Sequence, residues 1–173
     1  MLQTENEWPI AADGLPTRDA ARVIVISQDH HVLLVKGHDF SEPNRQWWFT
    51  IGGGREESED AREGARRELW EETGYDASTS DFIGPVIYRD SIFRFADRDR
   101  RQREHFFLLY TSRFEPANAA WTADEQRVLD EMRWLPISQL AQLKTPIYPA
   151  QLPSLLNRWM ADGWDGKCVT IAV

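Results

Sequence analysis

Gly53-Gly54-Arg55-Glu56-Glu57-Ser58-Glu59-Asp60-Ala61-Arg62-Glu63-Gly64-Ala65-Arg66-Arg67-Glu68-Leu69-Trp70-Glu71-Glu72-Thr73-Gly74-Tyr75 is the stretch that decides how this chain is read. On a helix Glu68 lies three residues before Glu71 and four before Glu72, which puts the three side chains on one face with Cβ atoms about 5–6 Å apart. Like charges at that spacing cost an isolated helix a few tenths of a kcal/mol per pair, so a positive partner is expected to offset them. A hard divalent cation fits, because magnesium takes oxygen ligands, keeps several waters and is commonly shared between a few carboxylates and a substrate's phosphates.

A solvated helix rich in Glu and Arg is the competing explanation. The pairs Glu59–Arg62, Glu63–Arg66, Glu63–Arg67 and Arg67–Glu71 all fall at three- or four-residue spacing. Helix surface charge does not account for Gly52-Gly53-Gly54 just before the segment or Thr73-Gly74 closing it. Seven fixed Gly, Glu and Arg positions, each taken at roughly 7% usage, would coincide by chance somewhere in a chain of 173 residues about once in a million.

With those residues in hand, 53–75 resembles the box of the Nudix hydrolases, matching Gly53, Glu59, Arg67, Glu68, Glu71, Glu72 and Gly74, with Leu69 at the first aliphatic position. Tyr75 stands where an aliphatic residue is usual, at a position that serves packing where the chain leaves the helix. The resemblance implies that Glu68, Glu71 and Glu72 bind magnesium or manganese, with the Gly52 carbonyl as a further ligand. It also implies that Arg67 orients a carboxylate, that Glu59 braces the loop, and that an α/β/α sandwich carries the box helix on a central mixed sheet.

With 42% hydrophobic and 28% charged residues, the chain has the makings of one globular domain, read as residues 19–173 behind an extended leader, 1–18. A net charge of −8 weighs against a broad surface for a nucleic-acid polymer, whose binding rests on Lys and Arg neutralising phosphates. A small nucleotide-type substrate remains open, with a bound metal as the local positive charge. Cys168 is the sole cysteine and is expected to be buried and inert. No apolar run approaches a membrane span, and the default expectation is a cytoplasmic protein.

Alternation and punctuation predict a hairpin of strands over 21–27 and 31–36, a third strand over 47–51 running into the glycines, and a helix over 57–73. Ala61, Ala65 and Leu69 form a narrow inner stripe on that helix, with the glutamates facing outward. Two long strands, 81–95 and 103–114, flank a charged turn at 96–101. The second carries apolar residues on both faces and belongs in the sheet centre. A loop over 115–127, a strand over 128–135, a short helix over 137–143, a helix over 150–161 and an edge strand over 167–173 complete the chain. The 152–159 stripe serves either a homodimer or the protein's own core.

The chemistry expected of a metal held this way is hydrolysis of a phosphoanhydride: water attacks one phosphorus of a nucleoside diphosphate joined to another group. Glu71 is the nearest candidate for the general base, which the sequence does not assign. The resemblance adds a carboxylate from a loop beyond the central strands, Glu125 ahead of Glu104. Lys36, Arg45 and Arg55 are candidates to meet phosphates, and Trp47, Trp48 and Trp121 are better explained by packing than by stacking on a base. Pro85 and Tyr88 lie too close to the box to match the substrate markers of the ADP-ribose or dinucleoside polyphosphate members. Nucleoside triphosphates, nucleotide sugars and dinucleoside polyphosphates therefore all stay open. Two rival functions are a nucleotide sensor without catalysis and a diphosphate-ester isomerase, for which Cys168 would have to supply the thiol.

Overall fold

β1 (Thr17–Ser27) and β2 (His31–His38) form the expected hairpin, closed by His30 in a left-handed conformation at φ 60°. β3 (Gln46–Gly54) pairs with both. The computed structural model describes residues 8–94, 98–117, 121, 123 and 125–172. After β3 come α1 (Ala61–Thr73), β4 (Ile83–Arg94), β5 (Asp99–Thr111), the short α2 (Glu125–Val128), β6 (Leu129–Pro136), β7 (Ile147–Tyr148), α3 (Leu152–Asp162) and β8 (Val169–Ala172). The strands join in the order β6-β2-β3-β1-β5-β4-β8, with β7 beside β3. β1 runs parallel to β5 and antiparallel to β3, so the sheet is mixed.

The period of two along each strand divides the core into two layers. Ala21, Val23 and Val25 of β1 and Phe107 and Leu109 of β5 face α1, which buries Ala65 and Leu69 against them. Ile24, Ile26, Phe106 and Leu108 face the other way, onto α3 and the 3₁₀ turn Ile137–Gln142. Because both faces of β1 and β5 are covered, these strands read as nearly continuous apolar runs. Leu152, Leu155, Leu156 and Trp159 of α3 are buried in this second layer, so the protein's own core accounts for that stripe. The result is an α/β/α sandwich with α1 on the central mixed sheet, as expected.

Several boundaries differ from the sequence reading. β1 starts at Thr17, and upstream of it Trp8 is buried beneath the Arg18 guanidinium, 4.4 Å from its ring centroid. The glycines do not turn the chain out of the sheet: Gly52, Gly53 and Gly54 all belong to β3, and α1 begins at Ala61 rather than at 57. β5 begins at Asp99, inside the turn assigned to 96–101, while residues 96 and 97 of that turn and residue 95 of the strand before it lie outside the described residues. So do residues 1–7 of the leader, 118–120, 122 and 124 of the 115–127 loop, and Val173. β7 was not anticipated, being a two-residue pairing with Trp48 and Phe49. β8 takes the predicted edge, and Cys168 before it is exposed rather than buried.

Candidate active site

The start of α1 is set by a capping box: the Asp60 side chain accepts from the amides of Arg62 and Glu63, and Glu63 reaches back to the Asp60 amide. At the other end Gly74, at φ 73°, donates its N–H to Trp70 at 2.8 Å and stops the helix. Tyr75 then stacks on Phe114 with centroids 4.5 Å apart, and its hydroxyl accepts from Thr111 at 2.8 Å. The unusual box residue thus packs where the chain leaves the helix.

Arg67 is the hub of the loop and helix. Its Nε and Nη2 donate to both oxygens of Glu59 at 2.9 Å, and Nη2 also reaches the Gly54 carbonyl at 2.9 Å. Its Nη1 donates to Glu68 at 2.8 Å and Glu71 at 3.1 Å. These bonds hold the Glu59 carboxyl below its ordinary range, and the acids in turn push the Arg67 guanidinium still further towards its charged form. Of the intrahelical pairs drawn from spacing, Arg67–Glu71 is present. Arg62 and Arg66 instead leave the helix: Arg62 donates to the carbonyls of Phe82 and Gly84, and Arg66 to the Ala77 carbonyl and to Asp76.

The glutamates do not all face outward. Glu68 and Glu72 are buried, at 9% and 6% exposure, whereas the Glu71 side chain is 44% exposed. The reason lies in β3. A Cβ on Gly53 would come within 2.7 Å of the Glu68 carboxylate, so the bare backbone makes the room that carboxylate occupies. The adjacent Gly52, at φ 132°, turns its N–H onto Glu72 Oε2 at 3.1 Å. Burial drives the Glu68 carboxyl above its ordinary range, with Arg67 partly offsetting it. Burial drives Glu72 well above that range, and the neighbouring charges of Glu68 and Glu125 push it further while Arg22 opposes them.

Among the described residues, no three carboxylate, imidazole or thiol groups are already gathered as a closed ligand set. Glu68 and Glu71 are drawn to Arg67, and Glu72 is drawn to Gly52. Charge makes the fit with a cation. Two buried acids in electrostatic contact disfavour each other's ionised form, and a divalent ion relieves that penalty with the hard oxygen donors it prefers.

The buried cluster Arg22, Arg89, Gln102 and Glu104 was missed in the sequence. Arg22 Nε donates to Glu104 Oε1 at 2.9 Å, Gln102 donates to the same oxygen at 2.7 Å, and Arg89 binds Oε2. Glu104 has no exposed surface, so it is neither a solvated acid nor a base within reach of bulk water. Burial works to raise its pKa, but Arg22 and Arg89 outweigh that and hold it below the carboxylate norm. The signal was present: Arg22 is in phase with Ile24 and Ile26, and Glu104 with Phe106 and Leu108. Charges at apolar-phase positions of adjacent strands need each other.

Of the other expected residues, Glu125 opens α2 close enough to influence Glu72. Arg55 lies 3.6 Å from Asp19 and within electrostatic reach of Glu59. Lys36 lies 3.7 Å from Glu131 and above the Trp48 ring, and Arg45, 67% exposed, lies 3.9 Å from Asp39; these contacts run to β6 and the β2–β3 loop. Trp48 and Trp121 are buried packing residues, and His38 pairs with Asp130 at 2.8 Å. An open groove of about 870 Å³ on the outer flank is lined by residues including Glu59, Glu63, Arg66 and Arg67, but by none of Glu68, Glu71 and Glu72.

Comparison with known proteins accords with this geometry. A family model described as the NUDIX domain matches residues 16–156. An RNA pyrophosphohydrolase of Roseobacter denitrificans is 30% identical over 151 residues, covering 80% of this chain and 91% of that protein. A putative 8-oxo-dGTP diphosphatase of Bacillus subtilis is 42% identical over 64 residues, 37% of this chain and 40% of its own length. In solved structures, the dihydroneopterin triphosphate pyrophosphohydrolase of E. coli superposes with a TM-score of 0.59 at 19% identity, over 83% of this chain and 95% of that one. No helix among the described residues is long and apolar enough to cross a membrane. Matched by the family model over most of its length and by a relative over most of both chains, the chain belongs to the Nudix family and is a hydrolase of that family.

Proposed function

We propose that this hydrolase cleaves a phosphoanhydride bond of a nucleoside di- or triphosphate compound, using magnesium or manganese held by Glu68, Glu71 and Glu72 with the Gly52 carbonyl. The observation that carries the reading is the pair of buried acids, Glu68 and Glu72, beneath the glycines of β3. When bound, the cation supplies Lewis acidity towards the phosphate oxygens and a water made easier to deprotonate. The protein's own groups do the rest. Arg67 gathers Glu68 and Glu71 on one guanidinium nitrogen, while Glu59 and the Gly54 carbonyl keep Arg67 itself in place. Glu71, half exposed, is the box carboxylate that solvent water reaches, and it is the proposed general base. Glu125 acts on Glu72 through its charge or takes the proton in its place. Arg55, beside the box loop, is proposed to meet the substrate's phosphates, with Lys36 and Arg45 as more distant contacts.

The relatives are named as pyrophosphohydrolases or diphosphatases, which supports a substrate cut at a phosphoanhydride bond and leaves its organic part open. A net charge of −8 favours a small nucleotide over an extended grip on RNA. The isomerase alternative lacks support, since Cys168 sits exposed before the edge strand β8. Turnover should be measured with Mg²⁺ and with chelator on a panel of nucleoside triphosphates, 8-oxo-dGTP, nucleotide sugars, dinucleoside polyphosphates and 5′-triphosphorylated RNA. Glu72→Gln is expected to lose about 100-fold in kcat/KM on whichever substrate is cut. Undiminished turnover in that variant would end the proposal.

A further inference from the structure

We propose that Arg22, clamped by Glu104, is a positioning residue for the metal-holding carboxylates, acting through the Gly52 backbone. Arg22 stands directly opposite Gly52 in the β1–β3 ladder. Its Nη1 donates to the Gly52 carbonyl at 2.6 Å, while the N–H of the same glycine holds Glu72 at 3.1 Å. Glu104, the Arg22 guanidinium and Glu72 are thus linked through the backbone of one residue, Gly52, whose carbonyl and N–H are both engaged.

Pairing of buried charge does not by itself require this reach. Arg89 places both Nε and Nη2 on Glu104 Oε2 and is enough to neutralise that acid. Arg22 adds a second cation and directs it to Gly52, whose φ of 132° takes its peptide out of regular strand geometry. A carbonyl has two lone pairs, so Arg22 occupies one and orients the other. The planar fork matters here, because a lysine ammonium is a point charge that cannot span Glu104 and Gly52 together. The positive charge also acts at a distance, opposing the effect of burial at both Glu68 and Glu72.

The inference rests on the proposed metal site and is tested by cation uptake rather than by turnover alone. Mn²⁺ binding to the full chain would be measured by calorimetry for wild type, Arg22→Lys, Glu104→Gln and Arg62→Gln, with thermal melting of each. Arg22→Lys and Glu104→Gln are expected to weaken Mn²⁺ binding about 10- to 100-fold, as loss of support behind a metal ligand does. Arg62→Gln, which removes a comparable anchor on the far side of α1, should lower stability and leave Mn²⁺ affinity unchanged. Affinities within about threefold of wild type in Arg22→Lys and Glu104→Gln, or an equal loss in Arg62→Gln, overturn the inference while sparing the metal site. A wild type that takes up no Mn²⁺ overturns both. Should the variants fail to fold, wild type decides: the Gly52 amide and Arg22 Nε–H resonances are expected to shift together on Mg²⁺ titration, and unmoved resonances refute the coupling.

Discussion

Adding a single methyl group at residue 53 should disable the site without unfolding the protein. In Gly53→Ala the new Cβ would stand 2.7 Å from one Glu68 oxygen and 2.9 Å from the other and from the carboxyl carbon, against the 3.4 Å at which ordinary contact begins. The backbone at this position tolerates alanine, because Gly53 is not among the positive-φ glycines. The strain therefore falls on the Glu68 side chain, which must retreat by about 0.7 Å while Arg67 holds it at 2.8 Å. Overpacking of this kind costs about 1–3 kcal/mol, and in a chain of this length each kcal/mol lowers Tm by roughly 2–4 °C. Catalytic groups must hold position within about 0.5 Å, and a 1 Å error costs on the order of 100-fold. A fall in kcat/KM of about 10- to 100-fold is thus expected, with weaker Mg²⁺ binding and a modest drop in Tm. Gly54→Ala is the matched control, since its Cβ meets only the end of the Arg18 side chain at 3.3 Å. Steady-state kinetics, calorimetry with Mg²⁺ and thermal denaturation on both variants decide the matter. A folded Gly53→Ala enzyme with wild-type Mg²⁺ affinity and rate, or equal losses in both variants, would refute the reasoning.

Three further outcomes follow from the same geometry. Glu68 and Glu72 both titrate above the ordinary 4.5 in the fold. Their contribution to metal-free stability is complete below that pH and is lost as pH rises through the raised folded values, so Tm without metal should fall across a scan from the low-pH end to the high-pH end. Mg²⁺ should stabilise more at the higher pH, and Glu72→Gln should raise the metal-free Tm there; an Mg²⁺ effect equal at both ends contradicts the burial argument. Asp60→Ala removes the cap of α1 and is expected to cost about 1 kcal/mol in urea denaturation, with no change in m-value. Tyr75→Phe keeps the stack on Phe114 but loses the bond from Thr111, for about 1 kcal/mol; an unchanged melting curve would show the bond to be inconsequential.

The architecture was readable because the apolar runs of β1 and β5 and the stripe Leu152, Leu155, Leu156 and Trp159 report burial through their spacing. The box residues were readable as a set, but not their depth. Spacing places Glu68, Glu71 and Glu72 on one face of a helix, while only the β3 backbone shows that two of them go inward, Glu68 over the bare Gly53 and Glu72 onto the Gly52 N–H. The helix start was placed too early because Glu57 and Glu59 favour helix by propensity, whereas Asp60 with Glu63 forms the capping box that fixes the boundary. Arg22 and Glu104 escaped because they lie 82 residues apart, and pairing them requires the parallel β1–β5 register, which no local pattern supplies. The exposure of Cys168 likewise depends on where the edge strand begins.

Arg62 and Arg66 look like interchangeable solubility charges, yet each guanidinium grips the main chain that follows α1, at Phe82 and Gly84 and at Ala77. Any attempt to recolour this surface with lysines or acids, as is routine when raising solubility, would cut the moorings of the segment leading from the box helix into β4. The outside of the box helix is therefore a fastening, and engineering of this enzyme should take its new charges from elsewhere on the surface.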